Sequence, residues 1–422
     1  MNISKQDVGI LRELGRKAAE LSATDDNKQK IDKWTRLTDL DKSAGPLQLI
    51  HLWPLAWAEA LPDEQHLVCQ NETARNYERD LRQRIWSVEN LHDDTVIEPV
   101  IRYPHCVEIT AYPELPVMAH YASDDHAKTG AFKFESPIVE MADIEKIGDP
   151  VVKVDAEQRE GYKAEAEEIF GGILDVIPTG IYFAAKVVDE WAGLRGMENV
   201  YTDMMDESEW THEALQRIAD NFQKRFQTLE EQGLWGPWEK SDPLGSTGLR
   251  FNPDIPNYQD IMKKGKADLM DTWAFTCAEG FNCVSPGMHE EFDLPYNVQL
   301  MKLFKWVNVG CCEVLHNKVE FVKNVPNVRR ISVSEWCDFE KAGAEIGTEL
   351  LYGYKPSGVP FLGDGLHEDQ VRKELRRVLD AAKDCPLEMI LNIGGTLGGG
   401  DGAAKLVEWT KIAKEEIEAT KG

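Results

Sequence analysis

The chain has 422 residues and a formal net charge of −27, with 42% apolar and 29% charged residues. That acid excess excludes an extended nucleic-acid surface, which needs clustered Lys and Arg, and argues against an anionic membrane partner. There is no apolar run of membrane-spanning length, no signal-type apolar core near the start, and the 8 cysteines lack small-scaffold spacing. The expectation is a cytoplasmic protein with free thiols, long enough to bury its core without disulfides.

Residues 1–45 read as a helical extension, with Val8, Leu11 and Leu14 near helical spacing and a break at Asp25-Asp26-Asn27. Leu47 to Trp53 is a first strand, ended by Pro54. Leu81, Ile85 and Val88 give an amphipathic helix, and Thr95 to Ile101 a second strand with Pro99 at its edge. Residues 102–150 are rich in Pro, His, Asp and Gly and read as a long loop or lid. Ile173 to Ile177 and Asn199 to Asp203 are expected as strands, before a long helix carrying Leu215, Ile218, Phe222, Phe226 and Leu229. Further strands follow at Thr272 to Glu279, in the run that starts at Lys305, and at Val328 to Ser334, Glu349 to Tyr354 and Leu387 to Ile393. Helices with Val371, Leu375 and Val378, and with Leu406, Trp409 and Ile412, fill the C-terminal part.

Strands alternating with amphipathic helices mean a parallel sheet with crossover connections. About eight such units predict an α/β fold, a (β/α)8 TIM barrel over 46–422, with the helical extension before it and the 102–150 insertion after its second strand. A doubly wound open sheet is the rival, weakened because no Gly-x-Gly-x-x-Gly follows the first strand.

In a barrel the chemistry sits at the C-terminal ends of the strands. In order these are His51, Glu98, Asp175, Asp203 with Asp206, Glu279, the Cys311-Cys312-Glu313 cluster, Ser332 with Ser334, Tyr354 with Lys355, and Asn392. Thiolate, carboxylate and imidazole are ligands for zinc, so Cys311, Cys312, Glu313 and His316 are the expected metal set. Side chains alternate along a strand, so both cysteines cannot share a face while the strand stays regular; Cys311 with Glu313, or Cys312 with His316, are the pairs left. Cys69, Cys106, Cys337 and Cys385 are expected as small buried hydrophobes. Cys283, His289 and Glu290, and His105, Cys106 and Glu108, are looser sets, read first as a helix cap and solvated acids. The glycines from Gly394 to Gly400 are either an anion cradle or, by preference, a flexible turn.

Two stretches resemble the second half of the uroporphyrinogen decarboxylase superfamily: Pro326 to Asp338 (Pro-Asn-Val-Arg-Arg-Ile-Ser-Val-Ser-Glu-Trp-Cys-Asp), followed by a strand into Lys355-Pro356, and Ser285 to Tyr296 with its Ser-Pro and Leu-Pro-Tyr steps. The branch it is most similar to is that of the corrinoid-dependent methyltransferases, with Gly310-Cys311-Cys312-Glu313 where that branch carries His-x-Cys. Val309 or Gly310 stands at the histidine, and the last strand, Met389 to Gly394, has no cysteine. The resemblance implies methyl transfer between a small methylated ether, amine or thiol and a corrinoid (cobalamin), free or on a partner protein, with zinc as Lewis acid. It also implies a homodimer. In this reading Glu313, Asp203 and Glu279 are catalytic, and His51, Tyr354, Lys355 and Asn392 bind substrate. The alternative is a cofactor-independent decarboxylase or lyase, with Arg102, Arg250 or Lys355 on a substrate carboxylate.

Overall fold

A computed structural model describes residues 3–116, 118–121, 132–181, 184–245 and 248–420. The N-terminal extension forms two helices, Lys5–Ser22 and Asp25–Thr38. Each starts on a hydroxyl cap: Ser4 accepts from the Asp7 N–H and Thr24 from the Asn27 N–H, satisfying amides that have no helical partner. The break read at Asp25-Asp26-Asn27 is this second cap. The first helix buries Leu11 against Leu81 of helix Glu72–Asn90 and Phe170 of helix Ala156–Phe170, a core separate from the main one.

The strands are β1 (Leu47–Leu52), β2 (Val100–Tyr103), β3 (Val107–Thr110), β4 (Met118–Tyr121), β5 (Phe132–Glu135), β6 (Val151–Val154), β7 (Asp175–Pro178), β8 (Ala184–Ala185), β9 (Trp273–Thr276), β10 (Trp306–Val309), β11 (Val328–Ser334), β12 (Leu351–Lys355) and β13 (Leu387–Ile393). Seven of them form one parallel sheet in the order β1-β13-β12-β11-β10-β9-β8. Helices Ser208–Glu231 and Glu368–Ala381, which connect strands of the sheet, and Gly402–Ala419, which follows its last strand in sequence, lay their apolar stripes in the main core. The fold is α/β.

Among the described residues the seven strands do not close on themselves through hydrogen bonds. β2 pairs only with β7, and among the described residues no ladder joins that pair to β1 or β8. At β1 the reason is visible in the hydrogen bonds. The Gln48 N–H donates to the Asp94 carboxylate at 3.0 Å and the Ile50 N–H to Asp93 at 3.1 Å, so side-chain oxygens stand where a neighbouring strand's carbonyls would.

One strand expectation fails for an identifiable reason. Asn199 to Asp203 is not a strand; it lies within helix Met197–Asp206, whose buried Val200, Asp203 and Met204 have helical spacing. Residues 102–150, read as a loop insertion or lid, contain short strands. They carry β3, which pairs antiparallel with β6, and the antiparallel β4–β5 pair; positions 122–131 lie outside the described residues.

Inside the sheet, Arg330 of β11 reaches across β12 to Glu388 of β13 at 2.8 Å, both side chains fully buried. Gly353, on the strand between, makes this crossing possible, since a Cβ there would lie 3.3 Å from Arg330 Cγ and Cδ. A buried pair of this kind is tolerated because neither charge is left alone. Among the described residues no helix is long and apolar enough to cross a membrane.

Candidate metal and substrate site

The C-terminal ends of β9, β10 and β12 converge on one group of side chains. β10 stops at Val309 because Gly310 takes φ +92°, and a Cβ there would meet Leu315 Cδ1 at 2.3 Å. The Gly310 N–H donates to Thr276 O at 2.8 Å and Ser332 Oγ donates to Gly310 O at 2.6 Å, so the turn is fixed to the strands on both sides. Cys311 and Cys312 therefore lie past the strand, and the alternation that would part them no longer applies. Their sulfurs stand 3.6 Å apart.

Glu279, just after β9, completes the group: one ligand atom each from Glu279, Cys311 and Cys312 lie within 4.8 Å of one another. Two sulfurs on a tetrahedral zinc, with bonds of roughly 2.3 Å, stand roughly 3.8 Å apart. The observed separation fits that, and three protein ligands leave one position open, as in catalytic sites.

Lys355, at the end of β12, places Nζ 3.0 Å from Cys312 Sγ and 3.9 Å from Cys311 Sγ. The two thiols are hydrogen-bonded to each other and titrate as a pair. The hydrogen bond from Cys311, together with the Lys355 ammonium, pulls Cys312 down to about 6, while Cys311 is pushed up. Burial works against the charge on Lys355, but the two sulfurs outweigh it and hold the amine protonated. The arrangement favours a thiolate at Cys312.

Sequence reasoning missed Lys186, Asp189 and Cys277. Lys186 follows β8, where burial opposes its charge but Cys277, Glu279, Asp189 and Cys311 together raise it. Asp189, in the first turn of helix Val187–Arg195, accepts from the Gly280 N–H at 2.9 Å and lies 3.8 Å from Cys277 Sγ. β8 has only two residues, Ala184 and Ala185, too few for any periodic signal, so its strand end could not be read.

The structure places the other expected residues as follows. Glu313 is not brought into the ligand group. Its carboxylate is buried and accepts from the Ala278 N–H at 2.7 Å and the Cys311 N–H at 2.5 Å, tying the β9 turn to the β10 turn. Burial raises its carboxyl to about 7. His316 is also apart, its Nδ1 accepting from the Asp338 N–H at 3.1 Å.

Asp203 sits on a helix, paired with Arg195 at 2.7 Å, and is at no strand end. Tyr354 is buried and donates to Glu374 Oε1 at 2.5 Å, which fixes it in the helix layer. His51 and Asn392 do meet, on the paired ends of β1 and β13, with His51 Nδ1 and Asn392 Nδ2 3.3 Å apart. Asn392 Oδ1 also accepts from Trp53 Nε1 at 2.8 Å.

His289 bonds Asp293 at 3.1 Å, and His105 is buried. Glu98 accepts from Ser241 and Asp175 from Tyr258. Arg102 faces Asp242, Asp80 and Glu239 at 2.7, 3.3 and 3.5 Å, and Arg250 donates to Thr272 Oγ1 at 2.8 Å.

The glycine-rich turn after β13 is neither cradle nor loose. Four carbonyls, of Phe361, Gly363, Leu397 and Gly399, converge on the buried Lys405 ammonium at 2.5 to 2.9 Å. Gly398, Gly399 and Gly400 all take positive φ in this turn.

No family model and no curated protein matches the chain. One of the solved structures it resembles is a methyltransferase from Methanosarcina mazei, aligned over 92% of this chain and 99% of that one, with a TM-score of 0.46 and 12% identity. A likeness of that degree assigns no activity.

Proposed function

We propose that the chain is a methyltransferase of a corrinoid-dependent system, moving a methyl group between a small methylated substrate and a corrinoid that is free or carried by a partner protein. The observation that carries this reading is the Glu279, Cys311 and Cys312 group, two sulfurs and a carboxylate within 4.8 Å at the ends of parallel strands. These residues would hold a zinc ion, which when bound supplies Lewis acidity to a substrate oxygen, nitrogen or sulfur. The chain's own residues do the rest. Lys355 offsets the charge of the two sulfurs, Asp189 and Glu313 fix the turns that carry Glu279 and Cys311, and Lys186 supplies a second cation beside them.

The same reading takes the β2–β7 pair as the segment that fills the gap between the two edges of the seven-stranded sheet. A lyase acting on carboxylates is less well supported, because Arg102 already faces three acids.

The test is metal content of anaerobically purified protein, alongside methyl transfer from ether, amine and thiol donors to reduced cobalamin. One equivalent of zinc is expected, lost in Cys312→Ala and Glu279→Ala with the fold intact. A folded protein that binds no metal in any preparation sinks the reading.

A further inference from the structure

Beside β1 lies a cavity of about 320 Å³, lined among others by His51, Trp53, Pro54, Trp238, Asp242 and Arg250. Small-ligand pockets begin at roughly 300 Å³. Two indoles shape it, and both are held in place.

Trp238 is buried between two glycines: a Cβ at Gly180 would come within 2.1 Å of its Cδ1, and one at Gly236 within 2.7 Å of its Cζ3. It packs edge-on against Trp235 at 5.9 Å, and the Arg250 guanidinium stands 5.0 Å from its ring. Trp53 is 50% exposed, yet its Nε1 hydrogen bond to Asn392 and its tilted contact with His51 at 6.4 Å restrain the ring. A solvent-facing indole fixed by a strand-end amide is pre-organised for a flat partner.

Charge selects the class of that partner. The carboxylate among the described lining residues, Asp242, is engaged by Arg102 at 2.7 Å, so no acid is left to receive an ammonium group. Burial drives His51 down to about 4, which makes it a neutral wall at pH 7. On its far side the cavity is walled toward β9. Gly245 lines it, a Cβ there would lie 2.9 Å from Phe275 Cζ, and Lys186 Nζ is 5.9 Å from the same ring.

We propose that this cavity binds a planar aromatic ligand, neutral or singly anionic, stacked on Trp53, with Trp238 and Arg250 as its inner wall. This binding does not depend on the methyltransferase reading.

Calorimetric titration of the full chain with 4-methoxybenzoate, and with tetramethylammonium as the cationic control, tests it. The wild type and Cys312→Ala are expected to bind methoxybenzoate, and Trp53→Ala, a surface change that leaves circular dichroism unaltered, to bind it at least about fivefold more weakly. Tetramethylammonium is expected to bind none of them. No methoxybenzoate binding by the wild type, equal binding by Trp53→Ala, or preference for tetramethylammonium would overturn the proposal. Aromatic binding without metal sinks methyl transfer alone, and metal without aromatic binding sinks this proposal alone.

Discussion

Replacing Lys355 by Met tests how the cysteine pair is charged. Its Nζ is 3.0 Å from Cys312 Sγ, and the thiols themselves are 3.6 Å apart. At an effective dielectric near 20, a unit charge pair at that separation interacts by roughly 5 kcal/mol. Both sulfurs are only partly buried, and the thiol–thiol hydrogen bond survives the substitution, so the loss is discounted to roughly 1.5 to 3 kcal/mol. That corresponds to a rise of roughly 1 to 2 pH units in the Cys312 midpoint. The assay is the pH dependence of iodoacetamide alkylation at Cys312 in metal-free protein, read by peptide mass spectrometry. The parent should titrate at about 6, and Lys355→Met at roughly 7 to 8. An unchanged midpoint would refute the reasoning, as would a parent that titrates like an ordinary thiol.

Four further outcomes are expected. Burial raises Glu313 to about 7, above its ordinary 4.5, so its contribution to stability is full below 4.5 and is lost as pH rises through 7. The melting temperature should fall across that window in the parent and stay flatter in Glu313→Gln; parallel slopes would contradict the assignment. Lys405→Met strands four carbonyls and should cost about 3 kcal/mol or more in urea denaturation, with faster amide exchange at 394–401; a loss below about 1 kcal/mol speaks against the cage. Glu388→Gln leaves the buried Arg330 uncompensated and should destabilise by about 3 to 5 kcal/mol, also read in urea. Asp203→Asn should lower stability by about 1 to 2 kcal/mol through its bond to Arg195 while zinc content stays unchanged; loss of zinc would restore Asp203 to the site.

The legible parts of this chain were those with long periods or hard stops. The helices around Leu215 and Val371 and the strands Val328–Ser334 and Leu387–Ile393 follow from apolar spacing alone. Cys311, Cys312, Glu279 and Lys355 were singled out because strand ends could be counted, and the structure brings their side chains together. Asp203 failed because five residues with Val, Tyr and Thr look like a strand until Met204 is included and the spacing becomes helical. Glu313 and Tyr354 were misjudged because sequence shows a polar side chain but not which way it faces. One bonds backbone amides across the turn and the other a helix-layer glutamate. The free edge of β1, capped by Asp93 and Asp94, leaves no mark in any periodicity.

The most direct test of the metal site is X-ray absorption at the zinc edge on protein loaded with one equivalent of zinc. The account predicts two sulfur ligands at roughly 2.3 Å with lighter ligands at roughly 2.0 to 2.2 Å, and a single sulfur in Cys312→Ala. A shell of oxygen and nitrogen alone, or a spectrum that Cys312→Ala leaves unchanged, would contradict it.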